Sequence, residues 1–179
     1  MNDYLISATG ANGQIRVYAA RTTALVQQAR TVHGLYPTSA DALGRVLTAT
    51  ALLGNTLKSQ EDSITVRVMG DGPLGAIIAT GNRNLDVRGY VQNPHVNMPV
   101  ERFGTHAFAK AVGMGTLYIT RDMGLKEPYT GSVPLSSGEI ASDIIEYFMT
   151  SEQTHTACGL GVHIERDGRI AVRVAFWRK

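Results

Sequence analysis

Hydrophobic positions change their spacing several times along the chain, and each change marks an element. Leu5-Ile6 and Ile15-Arg16-Val17-Tyr18 flank Gly10-Ala11-Asn12-Gly13, whose Asn-Gly pair predicts a hairpin over Tyr4 to Ala20. Leu25, Ala29 and Val32 then recur at helical spacing. Thr22 and Thr23 can cap the start of that helix, and Gly34 is placed to end it in the left-handed conformation. Pro37-Thr38-Ser39 opens the strongest helical pattern. From Asp41 to Lys58, Leu43, Val46, Leu47, Thr50, Leu53, Gly54 and Leu57 fall three and four apart. Gly44 and Gly54 would let another element approach this helix closely.

The period then becomes two. Ile64, Val66 and Val68 alternate with Thr65, Arg67 and Met69 until Gly70-Asp71-Gly72-Pro73 turns the chain. Gly75 to Ala79 runs back to a turn at Gly81-Asn82, and Leu85 to Val91 completes a three-stranded meander ended by Asn93-Pro94. Leu117 to Thr120 and Gly131 to Leu135 are further strands, the second confined by Pro134 to an edge or strand end. A third helix begins near Ser136, Ser137 or Gly138 and carries Ile140, Ile144, Ile145, Phe148 and Met149. Cys158 to Glu165 and Arg169 to Phe176 form a last hairpin across Asp167-Gly168. The pattern predicts an α+β fold with about three helices packed on eight to ten short strands.

Composition narrows the class. With 179 residues, 44% of them hydrophobic, the chain is expected to form one domain with a real core. A net charge of +2 without a Lys/Arg cluster gives no reason to expect nucleic acid as a partner. Met1-Asn2-Asp3-Tyr4 places an acid where a signal peptide carries a base, and no apolar run approaches the roughly 18 residues of a membrane span. Cys158, the sole cysteine, cannot form an internal disulfide. These features predict a cytoplasmic protein without membrane partners.

Three constellations could carry chemistry. Gly70-Asp71-Gly72-Pro73-Leu74-Gly75 matches G-x-G-x-x-G, but a phosphate cradle needs a helix N-terminus next, and Ala76-Ile77-Ile78-Ala79 is short and β-prone. A plain turn is the stronger reading. His155, Cys158 and His163 lie near one another without the paired short spacing usual in structural zinc sites. A three-ligand catalytic site is conceivable, though ordinary core and surface use is the stronger reading, and Cys158 beside Gly159 reads as a small buried hydrophobe. Glu127, Glu139, Asp143, Glu146 and Glu152 are acid–base candidates. Glu139, Asp143 and Glu146 fall on one helix face opposite Ile140 and Ile144, which predicts a solvated face. The residues alone identify no catalytic, cofactor or metal site.

A longer set of phrases is more specific. It begins with Asp3-Tyr4-Leu5, Arg16-Val17-Tyr18-Ala19-Ala20-Arg21-Thr22-Thr23 and Ala42-Leu43-Gly44-Arg45. Gly70-Asp71-Gly72-Pro73, Arg88-Gly89-Tyr90-Val91, Val112-Gly113 and Gly115-Thr116-Leu117 follow. Arg121 to Leu125, Pro128-Tyr129-Thr130-Gly131, Tyr147 and Ser151-Glu152-Gln153 complete it. In this order they resemble the bacterial 33 kDa heat-shock chaperonin family of redox-regulated holdases, over about residues 3 to 172. The resemblance implies a layered α+β core domain with a buried mixed or antiparallel sheet, then a helical linker and a C-terminal zinc domain. It also implies stress-response activity, in which unfolding client proteins are captured without ATP. In that family four C-terminal cysteines hold zinc and form disulfides under oxidation, and this chain has none of them.

The expected organisation is a chaperone core at 1–172 and an atypical tail at 173–179, with the linker and zinc domain missing. Continuing the family's strand after Val172 would give Val-Ala-Gly-Gly-Phe-Leu-Ala-Lys. Codons can be chosen for Val172 to Lys179 such that one nucleotide added after the first codon restores that reading, so a frameshift is the expected origin of the tail. The core is therefore expected to bind clients constitutively, or to cover its exposed apolar face as a homodimer or strand-swapped dimer. The alternative is a small-ligand or nucleotide-binding enzyme using Gly70 to Gly75, and a third option is an inert scaffold.

Overall fold

A computed structural model describes residues 2–99, 106–164 and 170–178. The elements run β1 (Tyr4–Gly10), β2 (Ile15–Arg21), α1 (Thr23–His33), α2 (Pro37–Gly54), β3 (Ser63–Gly70), β4 (Ala76–Asn82) and β5 (Val87–Val91). After them come α3 (His106–Val112), β6 (Gly115–Asp122), β7 (Tyr129–Pro134), α4 (Ile140–Thr150), β8 (Thr156–Ile164) and β9 (Ile170–Arg178). The strands form two sheets, ordered β1-β2-β9-β8 and β5-β4-β3-β6-β7. The fold is α+β as expected, and every described strand pair is antiparallel, so the mixed alternative does not form.

Helix α2 organises the core. Every residue from Ser39 to Gly54 except Asp41 and Arg45 is buried, so the helix is apolar on nearly all sides and must be central. It packs on β4, β5 and β3 of one sheet and on β8 of the other. Its two glycines serve close approach. A Cβ on Gly44 would stand 2.8 Å from Val26 Cγ1, and one on Gly54 would stand 2.6 Å from the Asn82 carbonyl. Pro37 occupies the first turn, where its missing N–H costs nothing. The helix ends at Gly54 rather than Lys58, because Thr56 and Leu57 form tight turns back to Leu53 and Gly54. Arg83 then binds the Leu57 carbonyl at 2.8 Å.

The start of α1 is capped from a distance. Thr22 makes no cap bond with its side chain and instead shares a 2.7 Å hydroxyl contact with Thr48 of α2. The amides of Ala24 and Leu25 donate to the two carboxylate oxygens of Asp3, both at 2.8 Å. One acid therefore satisfies two orphan donors and anchors β1 to α1. Gly34 ends α1 at φ 62°, as its position predicts.

Three features differ from the periodicity. Helix α3 has no capping signal in the sequence and forms because Phe108, Ala111 and Val112 bury against the core. Helix α4 starts at Ile140, since residues 136–139 form a loop whose Ser136 amide donates back to Asp143 of the helix. Strand β9 runs through the boundary at residue 172 and pairs with β2 and β8, so tail residues 173–178 lie within it. The Asp167-Gly168 turn lies outside the described residues. No described helix is long and apolar enough to cross a membrane.

Candidate functional site

The glycine loop between β3 and β4 is occupied by the protein's own backbone. Asp71, Gly72 and Leu74 donate their amides to the carbonyls of Met114, Val112 and Ala111 at 2.8, 3.0 and 3.1 Å. Gly75 donates to Gly72, and Pro73 has no N–H. The Asp71 carboxylate accepts from Met114 N at 2.7 Å. The glycines are needed because a Cβ at Gly72 would stand 2.4 Å from the Ala111 carbonyl. The donors of a phosphate cradle are thus spent on fixing α3 and β6, and the turn reading holds.

His155, Cys158 and His163 do not converge. In β8 the even-numbered residues turn inward, with Thr156 buried and Cys158, Leu160, Val162 and Ile164 packed on the core. His155 and His163 are exposed on the opposite parity, so imidazoles and thiol face away from each other. Burial pushes the Cys158 thiol up to about 12, opposite to what a metal ligand or nucleophile requires. A structural zinc needs four close ligands and a catalytic one three, and His155, Cys158 and His163 do not converge to supply either. Among the described residues no cluster of potential metal ligands forms.

Glu127 is exposed, Glu139 and Glu146 are half-buried, and Asp143 lies fully buried rather than on the expected solvated face. Its Oδ1 accepts the amides of Ser136 and Ser137 at 3.0 and 3.2 Å, which folds the loop before α4 back onto the helix. Burial raises the Asp143 carboxyl, and those hydrogen bonds offset the rise only in part. Glu139 binds Arg45, and Glu152 accepts from Arg121 Nη2 at 2.5 Å beside buried Tyr147. Burial raises the Tyr147 phenol, and the Glu152 charge adds to it. These acids hold helices and strands together.

What remains open is the outer face of each sheet. On the five-stranded sheet, Tyr90, Ile78, Arg67, Tyr118 and Ser132 form one cross-strand row. A second row is Arg88 with Thr80, Thr65, Thr120 and Thr130, in which Thr65–Thr80 and Thr120–Thr130 are joined by hydroxyl contacts of 2.9 Å. Arg67 lies 4.9 Å over the Tyr118 ring. This face is largely polar.

The four-stranded sheet differs. Tyr18 and Ala20 are buried on its inner side, so Val17 and Ala19 turn outward with their partners Ala8 and Ile6. Through the backbone of β9 the same rows continue to Ala157 and Gly159. Tyr4 is 55% exposed, Ile6 56% and Val17 36%, among alanines and glycines. Periodicity could separate the two faces of each strand, but not tell which face a helix would cover.

The comparisons agree with this architecture. The model of the family described as "Hsp33 protein" matches residues 3–176. The chain is 51% identical to the 33 kDa chaperonin of Desulforamulus reducens over 170 residues, covering 95% of this chain and 58% of that protein. It is 49% identical to the 33 kDa chaperonin of Symbiobacterium thermophilum, with the same coverage of 95% and 58%. The crystal structure of the 33 kDa chaperonin from Thermotoga maritima superposes with a TM-score of 0.90 at 36% identity, over 97% of this chain and 60% of that one. The chain thus spans about three fifths of the length of the relatives it matches.

Proposed function

This chain belongs to the Hsp33 protein family, and from that premise we propose that it is a holdase core, a non-enzymatic chaperone that binds unfolding proteins and prevents their aggregation without ATP. The observation that carries the reading is the outer face of the four-stranded sheet. Tyr4, Ile6 and Val17 stand exposed there beside Ala8, Ala157 and Gly159. Burying such surface contributes about 25 cal/mol per Å² and is non-directional, so one face can accept many clients. The partners are apolar segments of unfolding cytoplasmic proteins, and a second copy of the chain can cover the same face.

Capture through this face does not call on Cys158, whose side chain packs on the core. The described residues are proposed to hold clients whether or not an oxidant is present. A nucleotide enzyme is the weaker reading, because the Gly70–Gly75 amides are already engaged. Light scattering from a heat-unfolded client tests the proposal, with the chain added under reducing conditions and again after peroxide. Equal suppression in both is expected. Suppression in neither would overturn the holdase reading, and suppression only after peroxide would overturn capture independent of oxidation.

A further inference from the structure

We propose that β1 is a strand-addition site, where an extended and uncharged client segment pairs as a fifth strand on the four-stranded sheet. The inference rests on the holdase reading and specifies how a client is held. Among the described residues the edge strands are β1, β8, β5 and β7. An edge strand turns the N–H and C=O of every second residue away from its sheet, and proteins guard such edges with charge, proline, shortness or a covering element. Strand β5 has five residues and carries Arg88, and β7 ends in Pro134. Strand β8 packs its inward face on α2 and α4, so a strand added beside it would have to fit against helices on that side. Among the described residues, strand β1 carries no such guard in its own sequence and packs chiefly on β2, with Arg16 and Arg83 near only its Ser7–Thr9 end. Its seven residues contain no charge and no proline, and all but Leu5 are exposed.

The strand is nonetheless held firmly on its other side. All seven residues pair with β2, and Asp3, immediately before the strand, fastens its start to α1. It is a fixed template, so a client pays most of the ordering cost alone. Backbone pairing ignores sequence, which suits varied clients, while an apolar alternation in the client would extend the row of Tyr4, Ile6 and Ala8. A charge placed beside Ile6 would lose hydration without a partner. A second copy fits less well. Full antiparallel overlap of two β1 strands centres on Ser7, which sets Tyr4 opposite Gly10 and Ile6 opposite Ala8, both poor cross-strand matches.

The probe is a short fluorescein-labelled peptide of alternating valine and threonine with a lysine at each end. Fluorescence anisotropy should report binding, and hydrogen exchange should slow at β1 amides. The same peptide N-methylated at alternate residues loses its bonding edge and should bind at least about tenfold more weakly. Ile6→Lys should weaken the unmethylated peptide similarly with its melting temperature unchanged, since Ile6 is exposed. Equal binding of the methylated peptide, or protection only elsewhere, would overturn the proposal. A doubled mass with β1 amides protected before peptide is added would assign the edge to a second copy and also overturn it. Client suppression that persists without peptide contact at β1 would sink this site and leave the holdase reading standing. Peptide bound at β1 without client suppression would do the reverse.

Discussion

Arg45 Nη1 donates to Glu139 Oε2 at 2.7 Å and so ties the middle of α2 to the start of α4. The same guanidinium donates to both oxygens of Asp41 and lies 4.1 Å over the Phe108 ring, which brings in α3. Burial alone would lower the Arg45 pKa, but the carboxylates of Asp41 and Glu139 outweigh it and raise it. Arg45 is therefore the ionic joint of three helices, and its side chain is only 15% exposed. Arg45→Met should cost about 3 kcal/mol, because two carboxylates lose their partner in a partly dry site. Arg45→Lys should cost less, keeping the charge but losing the planar fork. Urea unfolding followed by circular dichroism checks both, and a neutral Arg45→Met would contradict the account.

The buried Asp143 makes a pH-dependent contribution whose sign follows from its raised pKa. Its folded form holds a proton more tightly than the unfolded form, whose value is near 3.8. The contribution is therefore fully favourable below 3.8 and is lost as pH rises through the raised folded value. Asp143→Asn removes this titration. Its stability relative to the parent chain should improve as pH rises through that window and then level off. A pH-independent difference, or one of opposite slope, would count against the assignment.

Two glycines should respond against simple helix and turn expectations. Alanine is favoured over glycine in a helix by about 1 kcal/mol. At Gly44, however, the new methyl would meet Val26 Cγ1 at 2.8 Å and Val162 Cγ2 at 3.1 Å. Overpacking of this kind costs about 1–3 kcal/mol, so Gly44→Ala should lower the melting temperature. Gly72→Ala should do more harm, near the upper end at about 3 kcal/mol, because its obstacle is the backbone at Ala111 and Val112. Thermal melts of the two variants decide the matter, and a gain in either refutes the packing argument.

Cys158 should be chemically silent in the folded chain. A thiol held at about 12 is protonated at neutral pH, and the thiolate is the reactive species. Modification by an aromatic disulfide reagent should therefore track unfolding and accelerate sharply in urea. Rapid labelling of the native chain would show that the thiol is accessible and ionised.

Much of the fold was legible because its signals are local. The Asn12-Gly13 turn, Gly34 at the end of α1, Pro37 at the start of α2 and the alternation of Ile64, Val66 and Val68 each follow from backbone sterics or from a period of two or 3.6. The ordered phrases also carried the family. Partnership across the fold was not legible. Asp41 and Arg45 pair at i,i+4 spacing in the structure, but nothing local in the sequence identifies Glu139 as the third member.

Asp143 illustrates the limit. Helical spacing placed it opposite Ile140 and Ile144, where solvent was expected, and the loop at Ser136 and Ser137 folded over that side instead. The same limit governed the sheets. Alternation separates the two faces of a strand but carries no information about what covers each one. The sequence by itself determined most of the elements, the central helix and the family, but not α3. Only tertiary structure decided that α2 fills the space between the sheets and that β1 stands open, because burial depends on contacts between residues far apart in the chain.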